Sequence, residues 1–236
     1  SVPGHFGHIE LAKPVFHVGF IKKIKCCLEM VCHNCSRVLA DRNEPDFASA
    51  VRVRDPKVRF NRVLNVCKKK KVCDNEPRET IGKNGQPMQI NHGGCGNAHP
   101  LIRIVGLTIE AHHEYKNEEG QKVKEKKVLK AETVLSILKR IPDDDLRDMG
   151  LNVGYARPEW MVISVLPVPP PPVRPSISMD GTGVGLRNED DLTYKLSDVI
   201  RASGNLRRAV NEGSPGHIVQ DFEDLLQYHV ATYMDN

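Results

Sequence analysis

The sequence predicts an irregular, zinc-stabilised α+β fold with short antiparallel strands, several helices and one long helix at its C-terminal end. Three observations lead to this class. Sixteen prolines and eighteen glycines among 236 residues break the chain into short elements. The cysteines have a spacing typical of a metal site. The longest apolar stripe at helical spacing begins after Pro215.

Composition excludes several classes of protein. The chain is 39% hydrophobic and can bury a core, but no run approaches the ~18 apolar residues of a membrane span. Nothing resembles a signal peptide, so we expect a soluble intracellular protein with no membrane partner. Seven cysteines, an odd number, argue against a disulfide framework. Because the chain starts at Ser1 without methionine and stops at Asn236 in a patterned helix, we expect a fragment.

The first hundred residues combine short strands with amphipathic helices. Apolar runs between glycine and proline breaks predict strands within residues 1–21. Pro45 begins a short helix, and Asp55 followed by Pro56 is a stronger helix start. The stripe of that second helix comprises Phe60, Val63, Leu64 and Cys67. Residues 74–94 are polar and rich in turns, and we expect them to be mobile.

The middle of the chain alternates in strand fashion before turning helical. Residues 101–129 predict antiparallel strands with polar turns, and helices follow over 132–141 and 143–149. An apolar strand at 162–166 leads into the proline-rich stretch 167–175. Because proline is excluded from central strands, this stretch is interpreted as a rigid connector, with a ligand for a proline-binding module as the alternative.

A glycine-rich loop and two or three helices close the chain. The loop, residues 176–191, lacks the Gly-Lys-Ser/Thr ending of a phosphate-binding loop, so we expect it to project from the surface. One helix is predicted to end near Gly204, a short one to cover 205–211, and the longest to cover 215–235.

The cysteines between positions 32 and 95 predict a structural zinc site. Cys32 and Cys35 form a C-x2-C pair, whose spacing brings two thiolates of one turn to the same ion. Cys73 lies beyond a helix end and Cys95 lies among glycines, so both sulfurs are placed on loops. Four thiolates favour a closed tetrahedral zinc site over a redox cluster. Free thiols are the alternative.

The remaining candidate ligands are assigned other roles. Cys67 lies on the apolar stripe of its helix, so it is interpreted as a core residue, together with Cys26 and Cys27. His92 is a reserve ligand.

A basic segment is a candidate nucleic-acid surface. Nine lysine or arginine residues and a single acidic residue lie between positions 52 and 71. This pattern is typical of a phosphate-facing patch, although a solvated helix face accounts for it equally well. The basic-patch candidates are Arg59, Arg62, Lys68, Lys69, Lys70 and Lys71.

Four stretches resemble the N-terminal clamp region of the largest subunit of eukaryotic RNA polymerase II, most closely in its fungal form. They are residues 3–11, 157–161, 166–176 and 225–232. The resemblance extends over nearly the whole chain. It implies a clamp core formed by residues 1–21 and 155–236, and a clamp head formed by residues 22–154.

The resemblance also implies where metals bind. The second zinc site of the family falls on Cys32, Cys35, Cys73 and Cys95, the same four cysteines. Its first site uses three cysteines and a histidine. Val2 stands at one of those cysteine positions, so His5 is a remnant and we expect this first site to be empty.

The resemblance also implies roles for two C-terminal elements. The loop 176–191 falls at the lid, which helps to separate the transcript from the template; its candidate contacts are Ser178, Met179, Asp180 and Arg187. Family members often have an aromatic residue near the Met179 position, which weakens a wedge role for it. The helix 215–235 resembles one arm of the clamp coiled coil.

The function implied is that of a clamp module in nuclear DNA-directed RNA polymerase II, a nucleotidyltransferase. The clamp closes over template DNA and the RNA–DNA hybrid during mRNA synthesis. Its implied partners are other polymerase subunits, template DNA, nascent RNA, initiation factors and NusG-class elongation factors. The motif that holds catalytic Mg²⁺ is missing, so we expect one structural Zn²⁺ and no catalytic residues. Without the resemblance, the alternative is a free-standing zinc-stabilised adaptor that uses the basic patch or the proline tract.

Overall fold

The computed structural model describes residues 7–170, 177–178, 187–188 and 191–235. The chain forms two compact units. Ser1–Gly19 and Val162–Asn236 make up what we name the terminal unit, and Phe20–Met161 make up the central unit. No helix in the described part of the chain is both long and apolar enough to cross a membrane. The mixture of helices and short antiparallel strands confirms the predicted α+β class.

A two-stranded sheet and a helical hairpin form the terminal unit. Strand β1 (Gly7–Phe16) pairs antiparallel with β7 (Val162–Val168), and helices α6 (Asp191–Asn211) and α7 (Gly216–Met234) pack against β1. The side chains buried between the sheet and the hairpin are Leu11, Val15, Ile163, Leu166, Leu196, Val199, Leu206, Leu226 and Val230. A further pair of two-residue strands, β8 (Ile177–Ser178) and β9 (Arg187–Asn188), is antiparallel.

Two polar side chains connect the hairpin to β1. The pairing of β1 is irregular between Glu10 and Val15, where Ala12 donates its N–H to Ser203 Oγ at 2.9 Å. Gln227 accepts from the Phe16 N–H at 2.7 Å and donates to the Phe16 carbonyl at 3.0 Å. Because unpaired buried backbone groups are costly, these side chains fix both helices on the strand.

The hairpin differs from the predicted helices. A break near Gly204 is wrong, because α6 continues through it to Asn211. Glycine in a helix costs about 1 kcal/mol, and the burial of Leu206 and Ala209, which continue the apolar stripe, outweighs that cost. The Lys195 ammonium donates to the Thr232 carbonyl at 3.2 Å, so the two helices run antiparallel.

Strand β7 extends further than the alternation suggests. Pro167 and Val168 pair with His8 and Gly7, although the sequence predicts that the strand stops at Leu166. Proline is tolerated in edge strands, and among the described strands β7 pairs with β1 alone. The first residues of the proline tract therefore belong to the sheet.

Helices and hairpins make up the central unit. Its helices are α1 (Ile21–Met30), α2 (Pro45–Val51), α3 (Pro56–Cys67), α4 (Ala131–Lys139) and α5 (Asp143–Asp148), with 3-10 turns at Val18–Phe20, on the boundary of the unit, and at Pro158–Met161. Its strands are β2 (Arg78–Ile81) paired with β3 (Pro87–Ile90), and a sheet of β4 (Leu101–Val105), β5 (Thr108–Lys116) and β6 (Lys122–Leu129). The hairpin β2–β3 occupies the polar segment for which the sequence predicts no regular structure.

Helix α3 confirms the strongest local prediction. Asp55 accepts hydrogen bonds from the backbone N–H groups of Lys57 and Val58, and Pro56 occupies the first helical position. Cys67 is fully buried at the end of the same helix. The cap and the apolar stripe therefore fix both the start of α3 and its buried side.

Candidate metal centre

The first half of the site is a tight turn that follows α1. Val31 and Val38 form a bridge, Cys32 donates its N–H to the Arg37 carbonyl at 2.9 Å, and Ser36 donates to the Cys32 carbonyl at 2.8 Å. Ser36 has a left-handed backbone with φ of 59° and its hydroxyl donates to the Ile137 carbonyl at 2.7 Å. These bonds anchor the C-x2-C turn to α4.

The second half is formed by two loop segments that run side by side. Cys73 donates its N–H to the Asn97 carbonyl at 2.8 Å, and Gly96 donates to the Cys73 carbonyl at 2.7 Å. A Cβ atom on Gly94 would lie 2.6 Å from Cys73 Sγ and from the Asp74 carbonyl oxygen. Only glycine allows this close approach, which brings Cys95 beside Cys73.

The four predicted cysteines meet at one point. The sulfurs of Cys32, Cys35, Cys73 and Cys95 all lie within 4.8 Å of one another. Cys32 and Cys95 are 3.5 Å apart at their sulfurs, and Cys35 and Cys73 are 3.7 Å apart. Tetrahedral zinc with Zn–S bonds of ~2.3 Å places its sulfurs about 3.8 Å apart. The cluster therefore fits a structural zinc ion, and these four cysteines are close enough to hold a metal.

Hydrogen bonds surround the sulfur atoms. The Asn34 N–H points to Cys32 Sγ at 3.4 Å, the Cys95 N–H to Cys73 Sγ at 3.4 Å, and the Asn97 side-chain amide to Cys95 Sγ at 3.1 Å. N–H donors of this kind orient metal-bound thiolates and stabilise their negative charge. The loops thus supply both the sulfurs and their outer donors.

The thiol pKa values of Cys32, Cys73 and Cys95 are shifted in different directions. Burial raises the pKa of the Cys73 and Cys32 thiols above the ordinary range. Burial also raises the pKa of Cys95, but hydrogen bonds from Asn97, Asn34 and Cys32 outweigh it and lower the pKa to about 6. Since several thiolates together require compensating positive charge, a divalent cation is the natural partner of this set.

The other cysteines are separate from the cluster. Cys27 and Cys67 are fully buried, and burial raises the pKa of each thiol to about 12. Cys26 is half-buried on α1, and no cysteine in the described residues forms a disulfide. His92 is buried but does not belong to the group of four sulfurs. His5 lies outside the described residues.

The structure divides the basic patch. Arg59 donates to the carbonyls of Val53, Arg54 and Arg147, so it closes the loop before α3. Lys70 forms an ion pair with Glu44 at 2.7 Å. The exposed members are Arg62, Lys68, Lys69 and Lys71. Two of the six candidates, Arg59 and Lys70, therefore have partners within the protein. The number of charges in the sequence does not separate them from the four exposed residues.

The lid-like loop is described only in part. Ser178 and Arg187 face each other as backbone partners in the β8–β9 pair. Met179 and Asp180 lie outside the described residues. The antiparallel pair brings the two ends of the loop together.

The sequence matches the family model RNA polymerase Rpb1, domain 1, over residues 1–236. The chain therefore belongs to this family and represents the N-terminal region of the largest subunit of a DNA-directed RNA polymerase. The match confirms the part of the resemblance that concerns the N-terminal region of the largest RNA polymerase subunit. It also makes the chain part of a nucleotidyltransferase whose other subunits and nucleic acids are its partners.

Proposed function

We propose that this chain is a clamp module of RNA polymerase II, which closes over template DNA and the RNA–DNA hybrid during mRNA synthesis in the nucleus. Family membership over the full 236 residues is the observation that carries the proposal. The chain contributes shape and contacts, and the chemistry of nucleotide addition takes place elsewhere in the enzyme. Residues 1–21 and 155–236 act as the clamp core, and residues 22–154 act as the clamp head.

Zinc has a structural role in this proposal. Cys32, Cys35, Cys73 and Cys95 are its ligands, and bound Zn²⁺ supplies a cross-link between loops that are up to 63 residues apart in sequence. Backbone hydrogen bonds join the two loop segments to each other, and the Arg37 guanidinium on the C-x2-C turn donates to the His92 carbonyl beside them at 2.7 Å. The ion therefore stabilises the clamp head and leaves no open position for a substrate.

Contacts with nucleic acid are assigned to exposed cations and to the lid-like loop. Arg62, Lys68, Lys69 and Lys71 are exposed around the C-terminal end of α3, where phosphate oxygens can reach them. Binding through such residues is independent of sequence and weakens as salt rises. Initiation factors and NusG-class elongation factors are the proposed protein partners.

A free-standing adaptor is the weaker explanation. Pro167 and Val168 of the proline tract pair with β1, which leaves them unable to present an extended ligand. Lys70 of the basic patch is occupied by Glu44. Both features support an internal role within a larger assembly.

Photo-crosslinking in the assembled polymerase tests the proposal. A photoreactive amino acid replaces Lys69, Arg187 or, as a control on the β5–β6 turn, Glu119, in elongation complexes with labelled template and transcript. We expect Lys69 to crosslink to DNA and Arg187 to the transcript or template, with Glu119 silent. Equal labelling at all three positions, or none at Lys69 and Arg187, would contradict the clamp assignment.

A further inference from the structure

The sheet β4–β5–β6 has one buried face and one exposed face. Ile102, Ile109 and Ala111 are buried on the inner side. The side chains that alternate with them point outward, and three are large and apolar: Leu101 is 55% exposed, Val105 54% and Val128 50%. We name this outer side the exposed sheet face. A face of this kind requires either solvent-compatible residues or a partner.

The kinds of side chain on the exposed sheet face change from one end of the strands to the other. Val105 and Thr108 are opposite each other near the β4–β5 turn, the next row holds Arg103, Glu110 and Val128, and Leu101 follows in the row of Lys126. At the other end, near the β5–β6 turn, Lys124 faces Glu114 and Lys122 faces Lys116. The three apolar side chains therefore lie in the half of the face toward the β4–β5 turn, together with Arg103 and Glu110, and lysines dominate the other half.

The basic half is poorly neutralised. Lys116 and Lys122 are direct cross-strand partners, an arrangement in which like charges destabilise the sheet. The ion pair of Lys124 with Glu114 is 3.6 Å long and joins two exposed side chains, so it contributes little. Lys126 has no acidic partner within 4.0 Å in the described part of the chain. An anionic partner would relieve this repulsion.

The chemistry of the face selects the kind of partner. Tyr115 belongs to the other side of β5. The ring of His112 lies on the exposed sheet face, but it is largely covered and contacts the Glu110 carboxylate at 3.0 Å, so it offers little surface on which a base could stack. The exposed side chains of Leu101, Val105 and Val128 instead suit leucine- or valine-like side chains of a partner. We propose that this face docks an acidic protein segment with apolar anchors at one end and carboxylates at the other. The nine residues of β5 provide a track about 30 Å long.

The proposal is independent of the clamp assignment, since it uses only this sheet. The probe is a fluorescein-labelled peptide with leucines at one end and glutamates at the other, added to the full zinc-loaded chain at about 50 mM salt. Anisotropy measures affinity and ¹⁵N shifts locate the contact. We expect Lys122→Glu/Lys124→Glu/Lys126→Glu to weaken binding about tenfold or more. Leu101→Ser/Val105→Ser is expected to weaken it about threefold.

A matched charge change elsewhere is the control. Lys68→Glu/Lys69→Glu/Lys71→Glu removes the same charge from the end of α3 and is expected to leave peptide affinity within about twofold. A peptide with lysines in place of glutamates is expected to bind the sheet variant better than the unmodified chain. Equal losses in both triple variants, shifts outside the sheet, or tighter binding of a 12-nucleotide RNA to this face would overturn the proposal.

Discussion

Cys67 and Cys73 are six residues apart in sequence, yet they lie in different chemical surroundings. Cys67 is buried at the end of α3, and Cys73 is one of four clustered sulfurs. We expect Cys73→Ser to lower bound zinc from about one ion per chain to near zero, because a hydroxyl is a poor zinc ligand. Cys67→Ser is expected to keep the ion and to cost about 1–3 kcal/mol of stability.

Metal analysis and chemical denaturation distinguish the two outcomes. Zinc lost from Cys67→Ser while Cys73→Ser retains it would remove Cys73 from the ligand set. A chain that holds zinc in both variants would point to a different set of ligands.

Asn97 is a residue that spacing alone does not reveal as part of the site. Its side-chain amide donates to the sulfur of Cys95, one of the two exposed cysteines of the cluster. Loss of such an outer donor typically weakens metal binding 10- to 100-fold. We therefore expect Asn97→Ala to weaken zinc by about 10-fold or more, measured by competition with a chromophoric chelator.

The thiolate-to-cobalt charge-transfer band of the Co²⁺-substituted chain provides a second measurement. It is expected to shift in Asn97→Ala and to stay in place in Asn65→Ala, which removes an exposed asparagine on α3. Identical spectra and affinities in the two variants would show that the Asn97 contact has no influence on the metal.

At the scale of elements, Gly204 is the weak position of α6. It lies inside a 21-residue helix, and a Cβ atom there would meet no atom within 4 Å. Because alanine loses less backbone freedom on folding, Gly204→Ala is expected to stabilise the chain by about 0.5–1 kcal/mol. Thermal or urea unfolding measures this.

Gly213 is the matched control for Gly204. It follows the end of α6 with φ of 68°, a backbone conformation that strains any residue with a Cβ. Gly213→Ala is expected to destabilise the chain by about 1 kcal/mol. Destabilisation by Gly204→Ala would mean that α6 bends or opens at this glycine.

The sequence predicts an element well when the residues that fix it are neighbours in the chain, and poorly when they are far apart. The Asp55 cap, the Pro56 start and the buried Cys67 all act within one helix, and each is predicted correctly. Leu206 continues the apolar stripe of α6, but the glycine before it favours a helix end, and the burial that outweighs this preference comes from packing in the core of the terminal unit. Pro167 in β7 depends in the same way on a partner strand more than 150 residues away.

The site shows the same division. The C-x2-C turn is recognisable from four consecutive residues, and the glycines around Cys95 indicate a tight loop. The clash that excludes a side chain at Gly94 arises only when residues 73 and 95 meet, and the hydrogen bond from Asn97 depends on the folded backbone of the loop around Cys95. The sequence therefore predicts correctly which four cysteines cluster, but it predicts little of their surroundings.

At the scale of the whole molecule, the two units depend on different forces. The terminal unit has an apolar core that contains no cysteine. In the central unit, the sulfur cluster brings the C-x2-C turn together with two loop segments from distant parts of the sequence. Removal of the metal should therefore affect the two units unequally.

Hydrogen exchange with and without a zinc chelator tests this difference. We expect chelation to raise the amide exchange rate about tenfold or more in residues 31–38, 71–75 and 93–99. The hydrogen bonds of these backbone amides lie in loops that the ion joins. Helices α6 and α7 should retain their protection, since their apolar packing does not involve the cluster. Uniform loss of protection in both units would show that they unfold as one cooperative body. Unchanged exchange in the three loop segments would show that the hydrogen bonds alone hold the sulfurs together.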